Sequence, residues 1–175
     1  MSHVVTCETE FNDTAALKAA CERLGWTFHE GQTSYRWFGA WVGDTPVPEW
    51  LCEGAVELEA ERLRLREERA FAPGHPQHGS WDALQARMTA ECSKCSHAIS
   101  IPGCSYQVGL RLVGKSLRPV WDYYDGNMLK AMGTDGNVLR QAYAVEATRN
   151  AARRQGLRVL SELKQPDGSV RLVCG

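Results

Sequence analysis

The chain lacks the features that would direct it to a membrane or out of the cell. Its first eight residues have neither a basic start nor the apolar run of a secretory signal. No apolar segment approaches the roughly 18 residues that a membrane-spanning helix needs. Lys and Arg number 20 against 21 for Asp and Glu, so the net charge of −1 provides no general attraction to nucleic acid. We therefore expect a soluble, intracellular protein that does not bind extended nucleic acid or a membrane.

The sequence also has no recognisable catalytic constellation. No serine or cysteine has a base partner in a known motif, and Asp122, Asp125 and Asp135 sit in or beside expected turns. The glycines at 126, 133 and 136 lack the lysine of a phosphate-binding loop. These absences favour a protein that is not an enzyme.

Length and cysteine usage favour one reduced domain. A chain of 175 residues with 43% hydrophobic residues can bury one sizeable core. An odd number of cysteines argues against a disulfide framework. The seven are scattered at positions 7, 21, 52, 92, 95, 104 and 174.

The hydrophobic pattern predicts strands interrupted by helices. Asp13 and Gly25 bound a first helix, and residues 138–155 form the clearest one. Extended segments are expected at 4–10, 26–28, 35–42, 106–113, 118–124, 157–163 and 170–174. Helical periodicity at 49–71 and a short helix from Ser80 suggest an inserted helical hairpin at about 49–90. We predict an α+β domain with a ferredoxin-like antiparallel sheet, two helices on one face and this insertion.

The inserted helix also shows charge pairs at three- and four-residue spacing. Glu59 with Arg62, Glu61 with Arg64 and Arg64 with Glu68 are spaced to form ion pairs. The pattern predicts a solvated face, with one apolar stripe packed on the domain.

One cluster of soft ligands suggests a metal site. Cys92 and Cys95 have the two-residue spacing that lets two thiolates reach one zinc ion, and His97 and Cys104 follow closely. Cys52 could be recruited from the inserted segment instead. The alternative is that these are small, partly buried thiols near a turn, with His97 hydrogen bonded to backbone.

Aromatic residues define a second candidate site. Strand alternation over 35–42 puts Tyr35, Trp37 and Trp41 on one face, and Arg36 and Phe38 on the other. Trp121 and Tyr123 share one face of a later strand, with Asp122 between them. Either set could form core, or could present rings to a small ligand, a nucleotide or a protein partner.

Several segments together resemble the Ycf-thirty-five-like proteins, known as domain of unknown function twelve fifty-seven. The matching segments are residues 1–3, 16–25, 35–44 (YRWFGAWVGD), 94–104 (KCSHAISIPGC), 141–143 and 166–172. The phage and bacterial branch is the most similar. The resemblance implies a fold and a class without an established activity, and a partner of the AAA-type ATPase class by association. The insertion at about 49–90, and Cys92 with it, departs from the family pattern.

From these observations we predict a non-enzymatic, cytoplasmic binding protein of a bacterial cell or a phage-infected host. No cofactor is expected, apart from zinc in the alternative described next. The residues predicted to contact a protein partner or small ligand are Tyr35, Arg36, Trp37, Trp41, Lys94, His97, Trp121, Asp122 and Tyr123. The alternative is a zinc-binding structural or regulatory module built on Cys92, Cys95, His97 and Cys104.

Overall fold

A computed structural model of the chain describes residues 4–6, 9–40, 46–165 and 169–175. Its helices are α1 (Thr14–Leu24), α2 (Ala55–Glu67), α3 (His78–Ser93), α4 (Gly126–Met132) and α5 (Asn137–Arg154), with a 3₁₀ turn at Thr134–Gly136. Its strands are β1 (Val4–Thr6), β2 (Thr27–Glu30), β3 (His97–Ser100), β4 (Gln107–Val113), β5 (Ser116–Asp122), β6 (Val159–Lys164) and β7 (Val170–Cys174). Among these described residues, no helix has the length and apolar character needed to cross a membrane.

The main sheet has five strands in the order β1-β5-β4-β3-β2, and every neighbouring pair is antiparallel. Strands β2 to β5 form a meander, and β1 adds to its β5 edge. The predicted α+β class with an antiparallel sheet is confirmed. The ferredoxin-like arrangement is not confirmed, because β1 and β2, which α1 connects, lie at opposite edges of the sheet, and the chain ends in a separate β6–β7 ribbon.

Helices α1 and α5 pack together on one face of the sheet. Asp13 caps α1 by accepting a hydrogen bond from the Ala16 backbone at 2.9 Å, and Gly25 ends it in the left-handed conformation. The Tyr143 hydroxyl of α5 accepts bonds from the backbone amides of Asn12 and Asp13. The α1/α5 core beneath these helices consists of Phe11, Leu17, Cys21, Ile99, Ile101, Val108, Leu110, Leu117, Trp121, Met128, Met132 and Leu139.

The opposite face of the sheet is covered by α2 and α3, which pack against each other. They form the insertion core, which consists of Tyr35, Trp37, Val47, Leu51, Cys52, Ala55, Leu58, Leu65, Ala70, Leu84, Met88, Cys92, Ala98 and Val120. Strand β5 contributes to both cores, because successive side chains of a strand point to opposite faces: Val120 joins the insertion core and Trp121 joins the α1/α5 core.

The predicted strand at 35–42 is wrong for residues 35–40, which adopt no regular strand, and residues 41 and 42 lie outside the described ranges. The backbone of this segment bonds elsewhere: Tyr35 donates to the carbonyl of Ser93, and Arg36 accepts from the amide of Gln107. Gly39 has φ 83°, which strand geometry does not allow. The strand beside β4 is instead β3, a segment that the sequence pattern did not predict as a strand.

The charge pairs of α2 divide between surface and interior. Arg64 pairs with Glu61 and Glu68 in solvent, as predicted. Arg62 and Glu59 are buried, and Arg62 Nε donates to Glu59 Oε2 at 2.9 Å. The prediction of a solvated face is therefore wrong for this pair, because α2 is enclosed more deeply than a surface helix with one apolar stripe.

Candidate partner-binding surface

Most of the large rings predicted to form a binding face lie inside the protein. Tyr35 and Trp37 stack in the insertion core with centroids 6.4 Å apart, and the Trp37 indole donates to Ser93 Oγ at 2.8 Å. Trp121 is fully buried in the α1/α5 core, where Tyr123 meets it edge to face at 5.8 Å. The rings of Tyr35, Trp37 and Trp121 are therefore core, which is one of the two alternatives that the pattern left open, and Tyr123 is partly buried beside them. Trp41 lies outside the described residues.

An exposed aromatic pair is formed by the residues that directly follow Trp37 and Tyr123 in the chain. Phe38 and Tyr124 are 41% and 55% exposed, and their ring centroids are 4.9 Å apart. The exposed residue Arg36 precedes Phe38 on the same segment. We call Arg36, Phe38 and Tyr124 the aromatic surface. Exposed aromatic rings beside an arginine are typical of the energetically important residues of protein interfaces.

A hydrogen-bond network holds the Arg36 end of this surface against the sheet. The side-chain oxygen of Gln107 accepts from Gln32 Nε2 and from the backbone amide of Arg36, both at 3.0 Å. Gln107 Nε2 donates to Ser100 Oγ, which lies 2.8 Å from His29 Nε2. Gln107 is buried in β4, so the segment is fixed to a rigid strand.

The contact between Ser100 and His29 is a structural element of this network. A serine nucleophile needs a base that a third group orients and a site where a substrate carbonyl can sit. Here Ser100 Oγ already accepts the bond from Gln107, and it serves to connect β3 with β4 and β2. The geometry therefore favours positioning of Arg36 and Phe38 over nucleophilic catalysis.

Asp122 and Tyr123 position the other half of the aromatic surface. Asp122 is fully buried, and its Oδ1 accepts from the backbone amide of Tyr124 at 2.8 Å. The Tyr123 hydroxyl donates to the carbonyl of Gly133 at 2.8 Å. This short Asx turn directs Tyr124 outward at the end of β5. Both predicted site residues are thus placed beside the exposed ring, where they support the turn.

The segment Lys94 to Cys104 is held by contacts within the protein. Lys94 Nζ pairs with Glu91 at 2.6 Å, and the Cys95 thiol donates to the carbonyl of Gln32 at 3.1 Å. His97 Nδ1 accepts a bond from the amide of Gly31 at 3.0 Å, and its ring packs 5.2 Å from that of Phe28. The ion pair of Lys94 therefore lies within the C-terminal end of α3, and the contact of His97 fastens β3 to the loop after β2.

The four predicted zinc ligands are not brought together. Cys92 is buried in the insertion core together with Cys52, whereas Cys104 packs against the α1/α5 core. Burial raises the pKa of Cys92 to about 12 and that of Cys95 to about 11, so both remain thiols at neutral pH. In the part of the chain that the structure describes, no group of three or more His, Cys, Asp or Glu side chains could hold a metal ion. The geometry does not support the zinc module.

Two residues of the aromatic surface were missing from the predicted site. The alternation pattern placed Phe38 on the face opposite Trp37, together with Arg36, but did not indicate which face the helices cover. Tyr124 was the last residue of a predicted strand and had no assigned role. The available signal was the phase of the alternation, which separates Arg36 and Phe38 from the buried rings of Tyr35 and Trp37.

Comparison of the chain with models of known protein families, with curated proteins and with solved structures found no significant match.

Proposed function

We propose that this chain is a non-enzymatic binding protein, and that it binds another protein through the aromatic surface of Arg36, Phe38 and Tyr124. The observation that carries the proposal is the contact between two aromatic rings that both remain about half exposed. Aromatic side chains bury large areas with little loss of conformational entropy, and aromatic and arginine residues are enriched among those that dominate binding energy in protein interfaces. The network around Gln107 and the turn at Asp122 pre-organise both halves of the surface.

A protein partner fits this surface better than a nucleic acid. Proteins that stack single-stranded bases combine aromatic platforms with a positively charged groove along the backbone. The aromatic surface contains one cation, Arg36, and Asp125 lies one residue beyond Tyr124. The net charge of −1 provides no further attraction to phosphates.

We also propose that the chain is a member of the Ycf-thirty-five-like family, from its phage and bacterial branch. Support comes from the matching segments at both ends of the chain, which include the segment that carries Phe38. On this proposal the first partner to test is an AAA-type ATPase from the same genome. The protein would act in the cytoplasm, in keeping with the free state of all six cysteines in the described ranges.

Site-specific photo-crosslinking in cells tests the surface. A photoreactive phenylalanine is placed at Phe38 or at Tyr124, and at Phe71 as a control. Phe71 is a matched control because it is similarly exposed, at 45%, and also contacts another ring. That ring belongs to Trp81 of α3, so Phe71 is not part of the aromatic surface. We expect one discrete cross-linked protein from positions 38 and 124, identical by mass spectrometry, and none from position 71.

Binding of the identified protein, purified, is then measured with Phe38→Ala, Tyr124→Ala and Phe71→Ala variants. Each of the first two should weaken binding by at least about tenfold, as expected for interface hot spots, while Phe71→Ala binds normally. Unchanged affinity in Phe38→Ala and Tyr124→Ala, or cross-linking of equal yield at position 71, would contradict the proposal.

A further inference from the structure

A pocket lined by arginines lies where α5 ends and β6 begins. It has a volume of about 370 Å³ and is lined by Arg149, Arg153, Arg158 and Val159. This volume is within the range of pockets that hold small organic ligands. We call it the arginine pocket. The aromatic surface is formed by other elements, so the two sites are independent.

Carboxylates hold one wall of the pocket in place. Arg149 pairs with Glu162 of β6 at 2.7 Å and with Glu146 at 3.2 Å. Arg23 of α1 binds the same two carboxylates, at 3.3 Å in the case of Glu146. Two guanidinium groups and two carboxylates therefore balance each other, and they fix Arg149 relative to the β6 strand.

The two remaining arginines add uncompensated charge. Arg153 bonds to the neutral side-chain oxygen of Asn150 at 3.3 Å, and Arg158 joins Gly175 through its backbone alone. Within the described ranges, neither guanidinium group forms an ion pair. Both side chains are exposed at the mouth of the pocket. Arg153 and Arg158 thus add positive charge to the pocket that Glu146 and Glu162 do not neutralise.

These arginines are not needed to finish the helix. The last carbonyl groups of α5 accept bonds from the backbone amides of Gln155, Gly156 and Leu157. In addition, Nε of Arg149 is buried and has no hydrogen-bond partner. Donors without acceptors at a concave, positively charged site are the arrangement that an anion completes.

We propose that the arginine pocket binds a small molecule that carries a phosphate group. A phosphate monoester is close to a dianion near neutral pH, and the guanidinium groups of Arg153 and Arg158 can pair with its negative charge. The planar guanidinium fork can donate two parallel hydrogen bonds to phosphate oxygens. Val159 supplies an apolar wall for the organic part of such a ligand. The ligand class is therefore a phosphomonoester of modest size.

The test is calorimetric titration of the full chain with inorganic phosphate and with phenyl phosphate at low ionic strength, where screening is weak. Phenol serves as the uncharged control. Two variants are compared with the wild type. One is a double variant that combines Arg153→Gln with Arg158→Gln, and the other carries Arg140→Gln alone. Arg140 is a matched control because it is an exposed arginine on the same helix that does not line the pocket.

We expect inorganic phosphate and phenyl phosphate both to bind the wild-type protein. For each ligand the affinity of Arg140→Gln should equal that of the wild type, and phenol should give no heat. The double variant should bind about tenfold to a hundredfold more weakly, as expected for the loss of charge-assisted hydrogen bonds. If the double variant does not fold, Arg153→Gln and Arg158→Gln are measured singly. Equal weakening by Arg140→Gln, unchanged binding by the pocket variants, or no binding to the wild type would overturn the proposal.

Discussion

Gly109 lies in β4 directly against the ring of Tyr35, and a residue with a side chain does not fit at this position. A Cβ atom added at this position would lie 2.7 Å from Cγ and Cε1 of Tyr35, well inside van der Waals contact. Because the ring of Tyr35 is buried in the insertion core, it has little room to move. The absence of a side chain at Gly109 is therefore what lets the insertion lie close to the sheet.

We predict that Gly109→Ala lowers the free energy of unfolding by about 1–3 kcal/mol, the usual cost of overpacking a core. Urea denaturation monitored by circular dichroism measures the change. Gly79→Ala is the matched control, since Gly79 lies in α3 with nothing within 4 Å of the added atom. Alanine favours a helix, so Gly79→Ala should be neutral or slightly stabilising. A Gly109→Ala variant as stable as Gly79→Ala would contradict the packing.

Buried thiols make stability depend on alkaline pH. Burial raises the pKa of Cys21 and of Cys92 to about 12, from the ordinary value of 9.0 for an exposed thiol. Above pH 9 the unfolded chain loses these protons while the folded protein keeps them, so the free energy of unfolding falls as pH rises from about 9 towards 12. Each thiol contributes a slope of at most about 1.4 kcal/mol per pH unit.

Urea unfolding across that pH range checks the prediction. The decrease should be less steep in a variant with Cys21→Ala and Cys92→Ala than in the wild type. Cys174→Ala is the control because Cys174 is exposed on β7, and it should leave the slope unchanged. Identical slopes in all three proteins would show that these thiols are not the groups responsible.

At the scale of elements, α2 contains two ion pairs of the same spacing in opposite environments. Glu59 and Arg62 are buried, whereas Glu61 and Arg64 are each nearly half exposed. Removing Glu59 takes two charge-assisted hydrogen bonds away from the buried guanidinium group of Arg62, whereas an exposed pair adds little to stability.

We predict that Glu59→Ala destabilises the protein by about 3 kcal/mol, while Glu61→Ala costs less than about 1 kcal/mol. Thermal and urea unfolding of both variants provide the measurement. Comparable stability of the two variants would mean that α2 is less deeply enclosed than its packing against α3 and the sheet indicates.

Helices were predictable where the signals are local. Asp13 and Gly25 mark the ends of α1 because capping depends on neighbouring backbone groups, and the same holds for the glycines that flank α5. Whether a segment forms a strand depends on pairing partners that are distant in sequence. For this reason the aromatic-rich segment 35–40 was wrongly predicted as a strand, and β3 was not predicted. Alternation correctly separated Trp37 from Phe38. The alternation pattern could not show that helices cover both faces of the sheet. That coverage decides which rings stay exposed.

At the scale of the whole molecule, the two cores share one strand. Val120 and Trp121 are adjacent in β5 and point into the insertion core and the α1/α5 core respectively. Opening either core removes the cover from one face of that strand. The sequence-based prediction of a single domain with an insertion therefore implies one cooperative transition.

We predict that Trp37 in the insertion core and Trp121 in the α1/α5 core report the same unfolding midpoint. Fluorotryptophan labelling resolves the two indoles by fluorine NMR, with signals assigned from Trp37→Phe and Trp121→Phe variants. Urea titration of the labelled wild-type protein then gives one midpoint for each indole. Two separated midpoints would show that the insertion unfolds as an independent unit.

The position of β1 in the sheet has a consequence for the order in which the chain assembles. Strands β3, β4 and β5 are joined by short turns and can pair within a segment of the chain that spans only residues 97–122. The three residues of β1 pair with the far end of that segment, Val4 with Asp122, so almost the whole intervening chain must be enclosed in a loop before this contact forms. Closing so long a loop costs conformational entropy. The three residue pairs of β1 and β5 can offset this cost only after the chain between them has become compact. Among the strands described in this sheet, the one that comes first in the chain is therefore the last to join it.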